Sequence, residues 1–247
     1  MSAVLLRAAD IHIGFGGIKA ADGIDLEVRE GEKLAIIGPN GAGKTTFLNI
    51  CTGYLRPSRG RVHFAGHDIT NRTPRAIARL GIARAFQIPQ LFTAHSALDN
   101  LLLAAAARTR RWQPWLRLGA LPERAEMLAL LELVGIADAA DHLVSELPEG
   151  TRKLLDVALA LALQPRLLLM DEPTSGVSSS EKFGIMDLLV QALAERAVTA
   201  VFVEHDMEMV TRYADRVAVW NAGHIQAEGP PAEVLSHSGV LRDVIGV

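Results

Sequence analysis

The sequence predicts an α/β protein with a mainly parallel sheet, an N-terminal antiparallel β portion and an inserted α-helical lobe. Three observations carry this. From Arg166 onward, strand-like and helix-like segments alternate: Leu167 to Met170, Glu181 to Glu195, Thr199 to Val203, Asp206 to Tyr213. The strand-like runs there are continuously apolar, as strands covered on both faces require. Between about Gln87 and Gln164 the pattern is instead helical, which reads as an insertion into the alternating scheme.

Taken in order, Val4 to about Phe86 holds short β-rich runs separated by glycine-containing turns. They include Ile24 to Val28, Lys33 to Ile37 and Arg61 to Phe64. Leu98 to Ala107 and Glu123 to Leu133 are Ala/Leu-rich helices, and Thr151 to Leu163 repeats its apolar positions at helical spacing. Arg108 to Pro122 carries Trp112, Trp115 and two prolines, and reads as a loop or broken helix. The expected organisation is a single domain over 1–247, with residues 1–86 and 165–247 forming the core and 87–164 the helical lobe.

Composition narrows the function. The chain has 247 residues, 49% of them apolar and 21% charged, so it is globular without a low-complexity tract. A formal charge of −3 and scattered arginines give no reason to expect a nucleic-acid partner. The single Cys51 excludes a disulfide framework within the chain and fits a reducing compartment. The opening MSAVLLRAAD does not read as a signal peptide, and no apolar run reaches membrane-spanning length. A link to a membrane is therefore expected to run through another protein.

The strongest chemical signal is Gly38-Pro39-Asn40-Gly41-Ala42-Gly43-Lys44-Thr45, followed by Thr46. It fits the G-x-x-x-x-G-K-[ST] phosphate loop, follows the apolar strand Leu34 to Ile37 and opens a helix ending near Gly53. The glycines let the backbone curl so that its N–H groups face phosphate, aided by the positive end of the helix. Lys44 would reach the β- and γ-phosphates of ATP, and the Thr45 hydroxyl would ligate Mg²⁺. The fold core is accordingly expected to be of the P-loop NTPase kind. A second signal, Leu167-Leu168-Leu169-Met170-Asp171-Glu172, ends a buried strand in two acids, where open α/β sheets place ligands. Asp171 would hold the metal and Glu172 would orient and deprotonate the attacking water.

Several protein classes share those two motifs, and the rest of the chain chooses among them. Gln87 lies in Ala85-Phe86-Gln87-Ile88-Pro89, and His205 in Val203-Glu204-His205-Asp206. Alone, Gln87 reads as well as a turn residue, His205 as a helix cap and Phe15 as core. Their joint order (Phe15, P-loop, Gln87, signature region, Asp171-Glu172, His205) spans most of the chain and resembles that of ABC ATPases. The resemblance implies that Phe15 stacks on adenine and that Gln87 contacts Mg²⁺ or the attacking water. His205 would then contact the γ-phosphate. It also implies a head-to-tail dimer with a second, identical or homologous ATPase, whose signature helix completes each P-loop. A GTPase would need an N-K-x-D guanine reader, which the sequence lacks.

Within that family the chain resembles the ATPases of branched-chain amino acid importers and their urea and amide relatives. The resemblance rests on Phe15 to Ala20, Gly81 to Gln87 with Leu91-Phe92, His205-Asp206-Met207 and the stretch Glu228 to Val234. It implies two integral membrane permeases as partners, a solute-binding protein acting indirectly, and a location at the inner face of the cell membrane. A soluble ABC ATPase or a nucleotide switch uncoupled from transport is the alternative.

One motif departs from the family. The usual signature L-S-G-G-Q aligns with Leu147-Pro148-Glu149-Gly150-Thr151; Leu147 and Gly150 match, leaving Gly150 as the nucleotide-binding candidate. Pro148 lacks the serine hydroxyl and an N–H of its own, and Glu149 adds negative charge near a place meant for phosphate. Helix dipole and backbone donors remain. A lesser departure is Ser178, where the family has Asp; it is expected to cap the helix starting near Ser179 to Glu181. The altered signature predicts slowed ATP use: Pro148→Ser with Glu149→Gly should speed steady-state hydrolysis, and an unchanged rate would refute that reading.

Overall fold

A computed structural model describes residues 3–109, 117–178 and 180–236; Trp112 and Trp115 lie outside them. The chain opens with the hairpin β1 (Val4–Phe15) and β2 (Ile18–Arg29). Next come β3 (Lys33–Ile37) and, through the P-loop, α1 (Lys44–Cys51). β4 (Arg59–Phe64), β5 (His67–Asp68), α2 (Pro74–Leu80) and β6 (Ile82–Ala85) follow. The α-helices α3 (Ala97–Thr109), α4 (Arg124–Leu133) and α5 (Glu149–Ala162) come next among the described residues. The alternation resumes with β7 (Leu167–Asp171), α6 (Lys182–Glu195), β8 (Thr199–Val203) and α7 (Met207–Tyr213). It closes with β9 (Arg216–Asn221), β10 (His224–Gly229) and α8 (Pro231–Val234).

Two sheets result. One is antiparallel in the order β2-β1-β4-β5; the other has the order β10-β9-β3-β8-β7-β6 and is parallel except for β10. The expected mainly parallel core, antiparallel N-terminal portion and helices inserted before β7 are all present. The central strands carry apolar side chains on both faces. On β3, Ala35 and Ile37 join the core shared with the inserted helices, while Leu34 and Ile36 join the core under α1 and the antiparallel sheet. β7 and β8 divide in the same way, with Leu168, Met170, Ala200 and Phe202 on one side and Leu167, Leu169, Val201 and Val203 on the other. This two-sided burial is why those segments read as unbroken apolar runs rather than as alternating strands.

The structure extends one strand and shifts two helix starts. β2 begins at Ile18, well before the apolar run at Ile24, because Gly23 sits at φ 79 in a stretch where the β1–β2 register slips. Such irregularities break the two-residue period on which strand reading depends. The helix expected from Thr151 starts two residues earlier, at Glu149, with Pro148 as its N-cap and the Pro148 carbonyl accepting the Arg152 N–H at 3.0 Å. α6 starts at Lys182, and Ser178 is not its side-chain cap. The Ser178 hydroxyl instead bonds the Glu181 carboxylate, and its carbonyl accepts the Glu181 and Lys182 N–H groups.

α1 is seated on β9 by an aromatic pair: Phe47 and Trp220, both fully buried, have ring centroids 5.1 Å apart. Trp220→Ala should therefore destabilise the fold by about 3–5 kcal/mol in denaturant unfolding, through the cavity it leaves beneath the P-loop helix.

Candidate functional site

The P-loop is built by close backbone approach. Gly38 has φ 149, and a Cβ there would lie 2.1 Å from the Trp220 carbonyl oxygen; at Gly43, φ 105, a Cβ would lie 1.8 Å from that of Ala20. Both positions demand glycine on conformation and on space. The loop and the turn into α1 wrap a cavity of about 210 Å³ lined by residues 40–46 and by Glu172. Lys44 is buried, and its ammonium donates to the carbonyls of Gly38 at 2.6 Å and Pro39 at 2.9 Å. Burial pulls its pKa below the ordinary lysine value, while the negative charges of Glu172 and Asp171 pull it back up. A cation on the cavity floor beneath glycine-shaped backbone fits an anionic phosphate chain.

Beside the cavity, the Thr45 hydroxyl donates to Asp171 Oδ1 at 3.3 Å. This pair of hard oxygen donors, one neutral and one carboxylate, fits a divalent cation shared with phosphate oxygens. Asp171 is itself buried and paired: Arg84 on β6 donates to its Oδ2 at 2.8 Å, and the two side chains are 6% and 3% exposed. The same guanidinium bonds the Asn49 side chain of α1 and lies over the Phe86 ring, 4.9 Å from its centroid. One cation thus ties together α1, the acid at the end of β7 and the start of the Gln87 loop.

Glu172 is where three segments meet. Its Oε2 accepts from Gln87 Nε2 at 2.8 Å, and its Oε1 lies 2.9 Å from His205 Nε2. Its backbone is left-handed at φ 52, a conformation that costs a non-glycine residue about 1–3 kcal/mol and clusters at working sites. His205 is steered from both sides. Asp206 caps α7 by accepting the Glu208 N–H at 2.9 Å, and buried Glu204 accepts the His205 N–H at 3.2 Å and the Thr174 hydroxyl at 2.8 Å. Burial raises the Glu204 pKa, and the Thr174 bond opposes that rise.

α5 supports this hub from below. Lys153 donates to the Glu172 carbonyl at 3.3 Å and to the Ser175 hydroxyl at 3.0 Å. Burial lowers its pKa, against the pull of Glu149 and Glu172. Glu149 in the first turn faces the chain's own Gly176, where a Cβ would meet its Oε1 at 2.3 Å.

The family model described as ABC transporter matches residues 21–175, from the β1–β2 hairpin through the loop after Glu172. The chain belongs to the ABC transporter family. It is 35% identical, over 98% of its length and 95% of the relative's, to the probable branched-chain amino acid transport ATP-binding protein LivG of Archaeoglobus fulgidus. It is 33% identical, over 100% and 99%, to the high-affinity branched-chain amino acid transport ATP-binding protein LivG of Salmonella typhimurium. Among solved structures, a nucleotide-free ATP-binding cassette from an ABC transporter superposes with a TM-score of 0.86 at 32% identity, covering 99% of this chain and 100% of that one. The ADP conformation of an ABC transporter cassette gives 0.85 at 32% identity, covering both chains in full.

As a member of this family the chain is an ATP-binding, ATP-hydrolysing subunit. Its fold gathers most of the residues that the sequence singled out: Asn40 to Thr46 around one cavity with the Gly38 and Pro39 carbonyls bonded to Lys44, Thr45 with Asp171, and Gln87 with Glu172 and His205. Phe15, 49% exposed at the end of β1, and Gly150, in the first turn of α5, are not among the residues lining that cavity. Four supporting residues had no assigned role in the sequence reading: Arg84, Lys153, Asp156 and Glu204. Arg84 and Asp156 leave the trace of a charge inside an apolar segment, whereas Lys153 and Glu204 lie among polar neighbours and leave none. Because Arg84 compensates a buried carboxylate, Arg84→Leu should cost about 3–5 kcal/mol of stability in chemical denaturation; a loss below 1 kcal/mol would mean water already screens Asp171.

Proposed function

We propose that this ABC ATPase powers the import of branched-chain amino acids or closely related small solutes. The observation that carries the solute class is full-length similarity to relatives named as branched-chain amino acid transport ATP-binding proteins. Its partners are two integral membrane permeases, a second ATPase subunit that is identical or homologous, and indirectly a solute-binding protein. Nucleic acid is not among them. No helix among the described residues is long and apolar enough to cross a membrane, so the permeases would hold the chain at the cytoplasmic face. A surface suited to them surrounds the Gln87 loop, where Ile88, Phe92 and Tyr54 are 74%, 58% and 57% exposed.

In the proposed mechanism Lys44 and the P-loop N–H groups hold the β- and γ-phosphates, and Phe15 stacks on the adenine. Thr45, Asp171 and Gln87 would hold Mg²⁺. The ion, when bound, neutralises charge developing on the phosphate oxygens. Glu172 orients the attacking water and takes its proton, while His205 fixes Glu172 and contacts the γ-phosphate. Gln87 reports the state of the site to the permease. Gly150, from the opposite subunit, closes over the nucleotide. Residues 87–164 act as a lobe on a core of 1–86 and 165–247, and ATP binding brings the two subunits together.

Uptake of labelled leucine, valine, an amide, urea and a small aromatic acid by cells lacking this gene tests the assignment. Wild type should restore uptake of leucine or valine, and Glu172→Gln should not. Purified Glu172→Gln should bind ATP while hydrolysing it at least about 100-fold more slowly, whereas Lys44→Ala should lose productive nucleotide binding. Brisk turnover by Glu172→Gln would show that the base has been misassigned; restoration of only urea or amide uptake would move the solute class.

A further inference from the structure

We infer that Asp156, in the middle of α5, is a positioning residue for ATP hydrolysis, holding the Gln87 loop in the shape that lets Gln87 reach Glu172. This inference rests on the role proposed above for Gln87. Asp156 is 4% exposed, and its two carboxylate oxygens grip the loop on either side of Gln87. Oδ2 accepts the Phe86 N–H at 2.8 Å and Oδ1 accepts the Gln90 N–H at 3.4 Å. β6 ends at Ala85, so the loop beyond it has no sheet ladder to define its path. Side chains of the inserted helices replace the ladder. Besides Asp156, fully buried Asn100 on α3 accepts the Phe92 N–H at 2.9 Å and donates to the Phe92 carbonyl at 3.2 Å.

A carboxylate in so buried a place is costly, and hydrogen bonds from two N–H groups are what make it tolerable. An apolar residue would pack there at less cost but would leave the Phe86 N–H without its partner. Lys153, one turn earlier on the same face of α5, bonds the Glu172 carbonyl. The helix that begins with the signature turn therefore holds both halves of the Gln87–Glu172 contact within its own chain. Asp156 fixes the loop of Gln87, and Lys153 fixes the backbone of Glu172. Displacement of α5 by a neighbouring subunit would reach the hydrolytic pair through these two side chains.

The test is a double-mutant cycle on the full chain with Mg-ATP as substrate. Asp156→Asn keeps the shape but sets an amide N–H₂ against one of the two backbone donors. Its kcat should fall about tenfold, with KM for ATP changed by less than about twofold. Gln87→Ala should also lower kcat, and the double variant should be no slower than Gln87→Ala alone. Effects that multiply, or an unchanged kcat in Asp156→Asn, would overturn the role of Asp156 and leave that of Gln87 standing. A fully active Gln87→Ala would remove the role of Gln87 and, with it, this route for Asp156. Hydrogen exchange on the unmodified protein gives a reading independent of how the variants fold. The Phe86 and Gln90 amides should be protected while those of Gln87 and Ile88 exchange freely; fast exchange at Phe86 and Gln90 would overturn the proposal.

Discussion

Burial of the central sheet on both faces is the constraint from which the rest of the molecule follows. β3, β7 and β8 carry apolar side chains up and down, so none of them can offer a polar group from its middle without leaving it unpaired. Chemistry is left to the strand ends. β3 runs into the P-loop, β7 into Asp171 and Glu172, β8 into Glu204 and His205, and β6 into the Gln87 loop. These strands lie parallel in the order β3-β8-β7-β6, so their carboxyl ends fall along one edge of the sheet. Four segments distant in sequence become one site because one sheet has only one such edge.

Backbone conformation, more than side-chain number, shapes that edge. Gly38 and Gly43 are pressed against the carbonyls of Trp220 and Ala20, which leaves no room for any other residue. Glu172 takes a left-handed conformation without glycine's freedom, and bonds to Gln87 and His205 at its side chain and to Lys153 at its carbonyl offset that strain. Arg84 performs the analogous service for Asp171, whose carboxylate would otherwise be a buried charge without compensation. Asp171, Glu172 and His205 are each bonded by a second side chain just behind them, from Arg84, Lys153 and Glu204.

The inserted helices add further supporting side chains. Asn100, Lys153 and Asp156 bond the backbone of the Gln87 loop and of the loop after β7. The insertion is thus more than a lobe attached to a finished nucleotide site, because it supplies hydrogen bonds that the sheet cannot. Exposed Ile88 and Phe92 lie in the loop so held, which places an apolar surface within a few residues of the Gln87–Glu172 contact.

The sequence by itself determined the fold class and the phosphate loop, because these depend on local pattern, whereas Gln87 and His205 stood out only through an order of motifs that resembles that of ABC ATPases. A two-sided buried strand is an apolar run, and a phosphate loop needs its glycines at fixed spacing. It also showed Pro148 and Glu149 departing from the family signature. What it could not place is the detail of bulges and caps, and whatever depends on partners far away in the chain. The β1–β2 bulges erase the two-residue period, the start of α5 at Glu149 follows from Pro148 as its cap, and Ser178 turns to Glu181 rather than capping α6. Arg84, Lys153, Asp156 and Glu204 read in sequence as ordinary charges. Only the tertiary structure decided their roles, because a buried charge is defined by the group it compensates, and Asp171, Glu172, Phe86 and Thr174 reach them only once the sheet has formed.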